Sequence, residues 1–491
     1  MSVLDNLEPR SVFKYFEEIC SIPHGSSDTW KISNYLVQFA KDRQLSYIQD
    51  ELGNVVIFKN GTAGYENSPA VIIQGHMDMV CEKEKNCEID FFSEGLKLRV
   101  DGNVISAIGT TLGGDDGIAV AYALAILDAK DGELSHPPLE VVITVDEEIG
   151  MLGAAGFDYS RLSARLMLNI DSEEEGELLV SCAGGATSSC HLPVEYENVS
   201  GREFILEVSG ITGGHSGVEI INQGANADKV LGRLLYELAG RVGIRLISVL
   251  GGQKDNAIPR QAKAIFVIDD EQEYDKAYNA LKEFVHQYND ILQSEYRITD
   301  PDICVSIQEA KNSNMVRCMT KKSTNTVITM LVCLPNGISK MSSNIEGLVQ
   351  TSLNLGILKT VHNAEVVASF SVRSSVGTEK DALMSQLRCL VNELGGYYTE
   401  SGKYPAWEYK TDSVLRDIMV STYEEMYGYA PKVSAIHAGV ECGLFAEGLP
   451  GLDCVSYGPR IEDIHTTSER LYIDSVKRTW DYTLEILKRL K

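Results

Sequence analysis

Short, uninterrupted apolar runs recur through the first 185 residues and alternate with a helical pattern. The stretches GNVVIFKN, AVIIQGH, LEVVITVDEE and ARLMLNIDSEE are rich in β-branched residues, which favours strands. GIAVAYALAILDAK is apolar nearly all round and predicts a buried helix that begins near Gly117. Runs without polar alternation are typical of strands that are covered on both faces. This order therefore predicts an α/β domain with a central, mostly parallel sheet.

A second α/β block follows a break rich in Gly and Ser at CAGGATSSC. Strand patterns such as EFILEVSGI and AKAIFVIDD alternate there with amphipathic helices such as NADKVLGRLLYELAGR, and EVVASFSVRSS alternates like a half-exposed strand. After GGYYTESGKYPAW the chain returns to two amphipathic helices. We predict a first domain formed by residues 1–186 and 398–491, interrupted by an inserted α/β domain at 187–397.

The charge balance argues against two classes of partner. The 491 residues contain 44 Lys and Arg against 70 Asp and Glu, a net charge of -26, which disfavours nucleic acid and anionic membranes. No apolar run reaches the ~18 residues that a membrane span needs. The start, MSVLDNLEPRSVFKYF, lacks the basic and apolar regions of a signal peptide, and the 11 cysteines form no CxxC pair. We therefore expect a cytoplasmic protein with free thiols.

Candidate metal ligands stand where three of the predicted strands end. VIIQGHMD ends in His76 and Asp78, VVITVDEE ends in Glu147 and Glu148, and LMLNIDSEEE carries Asp171. Open α/β sheets bind ligands at the carboxyl ends of their strands. Carboxylates this close repel one another, so a cation is expected among them. Of the two adjacent glutamates, one can bind metal while the other takes a proton from the metal-bound water.

A Gly-rich turn, GTTLGGDDG, places Asp115 and Asp116 just before the predicted buried helix. A carboxylate in such a turn can bridge two cations, and two metals ~3.5–4 Å apart make a hydroxide available for hydrolysis near neutral pH. His76 and Asp78 share one face of an extended chain, where the carboxylate can hold a metal-binding imidazole in the right tautomer. The pattern therefore predicts a two-metal hydrolase.

Each of these motifs also has a plain structural explanation. His-x-Asp is commonly a surface pair, DEE and DSEEEGE are typical of solvated loops, and GGDDG is typical of a turn with a helix cap. Their joint occurrence, each beside a predicted buried element, favours the metal site.

Seven stretches along the whole chain resemble the M20 family of metallopeptidases, especially its Xaa-His dipeptidase (aminoacyl-histidine dipeptidase) branch. They are GHMDMVCEK, GTTLGGDDGIA, TVDEEIGMLGA, NIDSEEEGELLVSCAGG, ITGGHSG, IHAGVECGLF and GPRIEDIHTTSERL. The resemblance implies a catalytic domain interrupted by a lid domain, two zinc ions per chain and a homodimer. It also implies a cis peptide between Asp115 and Asp116. Carboxylate and imidazole ligands would accept Co²⁺ or Mn²⁺ as well.

The resemblance assigns the metal ligands residue by residue. Asp115 would bridge the two ions, His76 and Asp171 would complete one site, and Glu148 and His465 would complete the other.

Three further residues take catalytic roles by the same resemblance. Glu147 would be the general base, and Asp78 would orient the metal ligand beside it. His215, in GGHSG, would touch the substrate carbonyl from the lid, either of its own chain or of a partner subunit. A loop histidine that stabilises a Gly-rich turn is the alternative explanation.

Substrate-binding residues are also implied in the inserted block and after it. Asn256 and Arg373 would hold the C-terminal end of the substrate, and the backbone of Gly439 would line the pocket. A surface arginine is the alternative for Arg373. His437 and Glu441, nearby in HAGVECG, would support the site or only pack.

The sequence therefore predicts a dinuclear zinc dipeptidase that cleaves Xaa-His and other unblocked dipeptides, with a metal-bridging hydroxide and Glu147 as base. The M28 and M42 aminopeptidases share the ligand order, but here the long gap falls between Asp171 and His465 and leaves room for a lid. An M20 amidase or deacylase acting on N-acyl amino acids remains open, as does a non-catalytic metal-binding relative used for interactions. The presence of Glu147 disfavours the last.

Overall fold

The computed structural model describes residues 3–269 and 273–491, without the side chains of 269 and 311–314, and divides into two units. Unit 1 consists of Met1–Cys182, Trp407–Ala435 and Val440–Lys491, and unit 2 of Ala183–Ala406 with Ile436–Gly439. The insertion predicted at 187–397 falls within unit 2.

The helices of the described residues are α1 Arg10–Cys20, α2 Trp30–Asp42, α3 Gly114–Asp128, α4 Leu152–Ala155, α5 Ala227–Ala239, α6 Tyr274–Glu295, α7 Lys321–Cys333, α8 Gly377–Glu393, α9 Val414–Tyr427, α10 Cys442–Gly448 and α11 Ile473–Arg489. Two short 3₁₀ turns span Tyr159–Arg161 and Ile220–Asn222.

The strands of the same residues are β1 Ser46–Gln49, β2 Val55–Lys59, β3 Val71–His76, β4 Leu98–Asp101, β5 Val104–Ala107, β6 Leu139–Thr144, β7 Leu166–Asn169, β8 Glu177–Cys182, β9 Gly184–Pro193, β10 Tyr196–Ser209, β11 Gly214–His215, β12 Ile244–Gly251, β13 Ala257–Ile258, β14 Ala262–Asp269, β15 Cys304–Met319, β16 Gly337–Met341, β17 Val349–Val361, β18 Glu365–Ser374, β19 Tyr397–Tyr404, β20 Lys432–Ile436, β21 Asp453–Ser456, β22 Ile461–Glu462 and β23 Arg470–Tyr472.

Unit 1 is built on an eight-stranded sheet in the order β1-β2-β6-β3-β7-β21-β8-β20. The four central strands β6, β3, β7 and β21 run parallel, as predicted, while β1, β2 and β8 pair antiparallel, so the sheet as a whole is mixed. The residues of β3 and β6 are buried throughout, because helices such as α3 pack against the sheet. Four shorter strands form a second sheet, β22-β23-β5-β4.

The buried helix of unit 1 starts where the apolar pattern placed it. Asp115 and Asp116 have non-helical backbone angles, so the regular part of α3 begins at Gly117. From there to Leu127 every residue is buried. The helix therefore fixes the two aspartates at its amino end against the interior of the sheet.

Unit 2 is built on an antiparallel sheet in the order β15-β10-β14-β12-β17-β18-β9-β19, with β16 paired to β17. CAGGATSSC does not interrupt the strands, because most of it lies in β9, whose small residues pair along the full length of β18. EVVASFSVRSS is not half-exposed either. The residues of β18 from Val366 to Ser374 are all buried, and among its polar side chains Ser369 Oγ lies 2.8 Å from Ser189 Oγ on β9.

Two sequence expectations concern the chain as a whole. All 11 cysteines are free, as predicted. Among the residues that the structure describes, no helix has both the length and the apolar character that crossing a membrane would require.

Asn226 ties the start of α5 to the sheet of unit 2. Its Oδ1 accepts hydrogen bonds from the amides of Asp228 and Lys229 at 3.1 and 3.2 Å, and its Nδ2 donates to Leu355 O at 2.9 Å. We predict that Asn226→Ala lowers the free energy of opening around α5 by about 2 kcal/mol, because a helix cap and a buried hydrogen bond are both lost. Hydrogen exchange followed by mass spectrometry would measure this.

The exposed Asn325→Ala on α7 serves as the matched control and should leave protection unchanged. Equal protection of α5 in the wild type and in Asn226→Ala would contradict the prediction.

Candidate metal centre and substrate-binding residues

The parallel strands of unit 1 bring the candidate ligands to one edge of the sheet. His76 is the last residue of β3 and lies opposite Thr144, the last residue of β6, while Gln74 lies opposite Asn169, the last residue of β7. The residues that follow these ends, predicted as ligands, therefore emerge side by side. This is the carboxyl edge at which α/β sheets bind ligands.

Two clusters of ligand atoms share the carboxylate of Asp115. Its Oδ1 lies 3.1 Å from His76 Nε2, which is 3.6 Å from Asp171 Oδ1. Its Oδ2 lies 3.1 Å from His465 Nε2, which is 2.9 Å from Glu148 Oε1. Within each cluster the ligand atoms lie within 4.8 Å of one another. The structure thus brings together the five residues predicted as metal ligands in the predicted two groups.

Glu469 holds the turn that carries Asp115. The peptide between Asp115 and Asp116 is cis, as the resemblance implied. The buried carboxylate of Glu469 accepts hydrogen bonds from the amides of Leu112 (2.7 Å), Gly113 (3.1 Å) and Gly114 (2.8 Å). Because Glu469 follows His465 in the same segment, this contact couples the placement of two candidate ligands.

Asp78 does more than face His76. Its Oδ1 is 3.5 Å from His76 Nδ1, and its backbone oxygen is closer, at 3.0 Å. The carboxylate also accepts hydrogen bonds from the amides of Glu147 at 3.0 Å and Glu148 at 3.3 Å, and from Ser26 Oγ at 2.8 Å. Asp78 therefore orients both the histidine and the loop that carries the two glutamates.

The two candidate histidines sit in a strongly negative field. Burial opposes a charge on His76, but hydrogen bonds to Asp115, Asp171 and Asp78 raise its pKa well above the usual range. Hydrogen bonds to Asp115 and Glu148 raise the pKa of His465 to about 10. Each imidazole therefore lies within 4 Å of more than one carboxylate.

The two glutamates of the DEE motif differ in their partners. Burial, with repulsion from Asp171 and Glu441, raises the pKa of Glu147 to about 9. Burial also raises the pKa of Glu148, against a hydrogen bond from His465. Glu148 alone of the two contacts that imidazole, and Glu147 groups with His76 and Glu148. Glu148 therefore belongs to the cluster of His465, and Glu147 forms a third group of potential ligands with His76 and Glu148.

Glu441 stands behind these residues as a further buried acid. Its Oε2 accepts from Gln74 Nε2 at 2.6 Å and Thr144 Oγ1 at 2.7 Å, and burial raises its pKa to about 8. Its Oε1 has no hydrogen-bond partner among the described residues. It adds to the negative field at the strand ends and does not itself join a ligand cluster.

Divalent cations fit this donor set. Imidazole nitrogens and carboxylate oxygens are ligands for zinc, cobalt and manganese, and a shared carboxylate with three or more donors around each position matches a two-metal site. The repulsion among the buried acids would also be relieved by positive charge.

Unit 2 gathers the residues predicted to bind substrate. His215 on β11 pairs with Ala257 on β13, and both His215 and Asn256 line a cavity of about 1040 Å³. Asn256 is exposed, and its backbone oxygen accepts from Ser216 N at 2.9 Å. A Cβ built on Gly217 would lie 2.7 Å from the backbone oxygen of His437, so the His215 loop packs against the segment that contains Gly439.

His215 is oriented by its own loop. Its Nδ1 accepts hydrogen bonds from the amides of Gly217 and Val218, both at 3.3 Å, which assigns the proton of the neutral ring to Nε2. Burial, and then the charge of Arg373, lower its pKa, which favours this neutral form.

Arg373 is not a surface residue, contrary to the alternative left open for it. It lies on β18 with 8% of its surface exposed, and its Nη1 donates to Tyr404 Oη at 2.9 Å. No described acidic side chain forms an ion pair with it, and its Nε has no hydrogen-bond partner. A buried guanidinium without an acid is a strong candidate to bind an anion.

Several supporting residues could not have been found from the sequence. Glu469 lies within the stretch GPRIEDIHTTSERL, but no role was predicted for it there, and Ser26 and Tyr404 lie outside the seven stretches. Each is defined only by a partner far along the chain. His437 was expected to support the site or only to pack; its Nε2 lies 2.7 Å from Ser352 Oγ.

Comparisons with known proteins agree with this geometry. The family model "Peptidase family M20/M25/M40" matches residues 72–489. The chain is 37% identical over 493 residues to the "Cytosol non-specific dipeptidase" of Escherichia coli (strain K12), covering 100% of this chain and 99% of that protein. A crystal structure of "Aminoacylhistidine Dipeptidase from Vibrio alginolyticus" superposes with a TM-score of 0.93 at 35% identity, covering 99% and 98% of the two chains.

A more distant structure shares the fold alone. Aminopeptidase PepT from Bacillus cereus matches with a TM-score of 0.56 at 14% identity and covers 99% of both chains. With the full-length similarity above, the family match confirms the likeness predicted from the sequence stretches. The chain therefore belongs to peptidase family M20/M25/M40 and is a metallopeptidase.

Proposed function

We propose that this chain is a dinuclear zinc dipeptidase that hydrolyses Xaa-His and other unblocked dipeptides. The observation that carries the proposal is the position of Asp115. Its two oxygens face different imidazoles, those of His76 and His465, each at 3.1 Å. A carboxylate shared in this way suits two cations and has no evident structural purpose without them.

Five residues would hold the ions. Asp115 would bridge them, with His76 and Asp171 on one and Glu148 and His465 on the other. When bound, two divalent ions supply polarisation of the peptide carbonyl and lower the pKa of water. Zinc suits the donors, and Co²⁺ or Mn²⁺ would also be accepted.

Glu147 is proposed as the proton carrier. Water adds to the carbonyl carbon, and its proton passes to a carboxylate oxygen of Glu147. Glu147 then gives the proton to the amide nitrogen, the C–N bond breaks, and a free carboxylate and a free amine result. The support for this role is that Glu147 lies beside the cluster of His76 without contacting His465. Its backbone amide is fixed by Asp78.

His215 and Arg373 are proposed to act on the substrate itself. The Nε2–H of a neutral His215 can donate to the oxygen that becomes negative as the carbonyl is attacked. Arg373 can pair with the free α-carboxylate, which fixes the length of an acceptable substrate. Asn256 and the backbone of Gly439 would complete the contacts to that end of the dipeptide.

The relatives support the substrate class. One is named a non-specific dipeptidase and the other an aminoacylhistidine dipeptidase, so we infer activity on several dipeptides, with those ending in His among them. We also propose a cytoplasmic location, because the first relative is named for the cytosol, and a homodimer, as the sequence resemblance implied.

The first prediction concerns metal content. Purified protein should bind about two divalent ions per chain at saturation. Removal of the ions by chelation should abolish dipeptide hydrolysis, because the ions polarise the peptide carbonyl and lower the pKa of the attacking water. Asp115→Ala should lower occupancy at both positions. Inductively coupled plasma mass spectrometry measures the content.

The exposed Asp101→Ala is the matched control and should keep both ions. Full activity after chelation would overturn the two-metal proposal.

The second prediction separates the two glutamates. Glu147→Gln should keep metal content and fold while lowering kcat by ~10²–10⁴-fold, because proton transfer is lost. Glu148→Gln should instead lower occupancy at one position. Paired measurements of metal content and kcat test this, with the exposed Glu174→Gln as control. The opposite pattern in the two variants would reverse their assigned roles.

The third prediction concerns the substrate carboxylate. The enzyme should cleave Leu-Gly and cleave Leu-Gly-amide poorly, because the amide offers Arg373 no charge. Arg373→Ala should raise KM for Leu-Gly and so narrow the difference in kcat/KM between Leu-Gly and Leu-Gly-amide. Steady-state kinetics measures both constants. Arg388→Ala, which removes an exposed arginine of α8 paired to Glu400, is the control.

Equal rates on both substrates would argue against carboxylate recognition. Preferential hydrolysis of N-acetyl-leucine over Leu-Gly would favour a deacylase instead.

A further inference from the structure

Four residues form a row across neighbouring strands of the unit 2 sheet. Ser352 on β17 lies opposite Arg373 on β18, Arg373 lies opposite Gly185 on β9, and Gly185 lies opposite Tyr404 on β19. Directly opposite residues of antiparallel strands point to the same face. The side chains of Arg373 and Tyr404 therefore stand on one face with a glycine between them.

The missing side chain at Gly185 makes their contact possible. A Cβ built at Gly185 would overlap the phenol of Tyr404 at its Oη and Cζ. A Cβ built at Gly439 would lie 2.5 Å from Tyr404 Cε2. The ring of Tyr404 thus fills a slot between two glycines, and its Oη accepts the hydrogen bond from Arg373 Nη1 at 2.9 Å.

Two further groups near Arg373, Ser352 and His437, are neutral. His437 Nε2 bonds Ser352 Oγ at 2.7 Å, and burial, then the charge of Arg373, lower the pKa of His437 to about 4. None of the described acids pairs with Arg373. The hydrogen bond from Arg373 Nη1 to the hydroxyl of Tyr404 at 2.9 Å therefore orients the guanidinium.

We propose that Tyr404 is a positioning residue for substrate recognition: held between Gly185 and Gly439, its hydroxyl aims the Arg373 guanidinium at the α-carboxylate of the dipeptide. This inference rests on the proposed function. It assigns to Tyr404 no part in bond breaking, so it predicts an effect on substrate binding and little effect on the chemical step.

The experiment compares Tyr404→Phe with the wild type on Leu-Gly and Leu-Gly-amide, using metal-loaded full-length enzyme. Phenylalanine keeps the ring in its slot and removes only the hydroxyl. KM for Leu-Gly should rise roughly tenfold, the change expected for one hydrogen bond to a charged group, with kcat within about twofold. Hydrolysis of the amide should change little.

A double-mutant cycle tests whether Tyr404 acts through the arginine. In an Arg373→Ala background, Tyr404→Phe should raise KM no further than about twofold, because the group that it aims is gone. Gly185→Ala provides a second approach, since its methyl group would displace the phenol, and it should reproduce the rise in KM.

The matched control is Tyr398→Phe on the same strand. Tyr398 Oη lies 2.7 Å from Ser188 Oγ and does not bond Arg373, so this variant removes a comparable hydroxyl and should leave both constants unchanged.

The outcomes separate the two levels of the proposal. A wild type that cleaves neither substrate overturns the proposed function and this inference with it. A wild type that prefers Leu-Gly, together with an unchanged KM in Tyr404→Phe, overturns the inference alone. Additive effects of Tyr404→Phe and Arg373→Ala would also overturn it, because the two residues would then act independently.

Discussion

Repulsion between buried carboxylates is the constraint on which unit 1 depends. Asp171, Glu147 and Glu148 follow the central strands, and Asp115 from the start of α3 and Glu441 from the start of α10 lie at the same edge of the sheet. Burial works against the charge of each. Two imidazoles offset only part of this cost. Added positive charge would relieve this repulsion, so we expect cation binding to stabilise this edge of the sheet. The acids do not stabilise the fold; the central sheet holds them together against their mutual repulsion.

Unit 2 shows the opposite imbalance. Arg373 is buried with no acid beside it, and the groups around it, Tyr404, Ser352 and His437, are neutral. The acidic cluster of unit 1 therefore has an excess of negative charge, and Arg373 of unit 2 has a positive charge without an acidic partner. A dipeptidase needs both: electrophiles for the peptide carbonyl and a fixed charge for the end of a short substrate. The two imbalances together are a stronger indication of function than either one, because each alone also occurs in structural ion networks.

The sequence predicted the parts of the structure that depend on local pattern. Continuous apolar runs identified β3, β6 and β7, and the rule that ligands collect at strand ends predicted that His76, Glu148 and Asp171 share one edge of the sheet, where the structure places them. The predictions failed where cross-strand partners decide. A Gly- and Ser-rich stretch reads as a loop, yet β9 is a full strand because β18 and β19 supply its hydrogen bonds. The alternative of a surface arginine for Arg373 fails in the same way, because the side chain is buried in the sheet, while its predicted role in binding substrate stays a prediction. Glu469 and Tyr404 contact residues far along the chain, so the sequence predicted no role for either.

The order of the chain has a consequence for biosynthesis. β21 lies in the middle of the unit 1 sheet, between β7 and β8, although it comes from residues 453–456, and His465 and Glu469 follow it. A ribosome-bound chain of which only the earlier segments have been synthesised contains β3, β6 and β7. It lacks β21, which lies beside β7 in the finished sheet, and it lacks His465. Under the proposed ligand assignment, the nascent polypeptide lacks one metal ligand until residue 465 has been made, so hydrolytic competence would be delayed until synthesis is nearly finished.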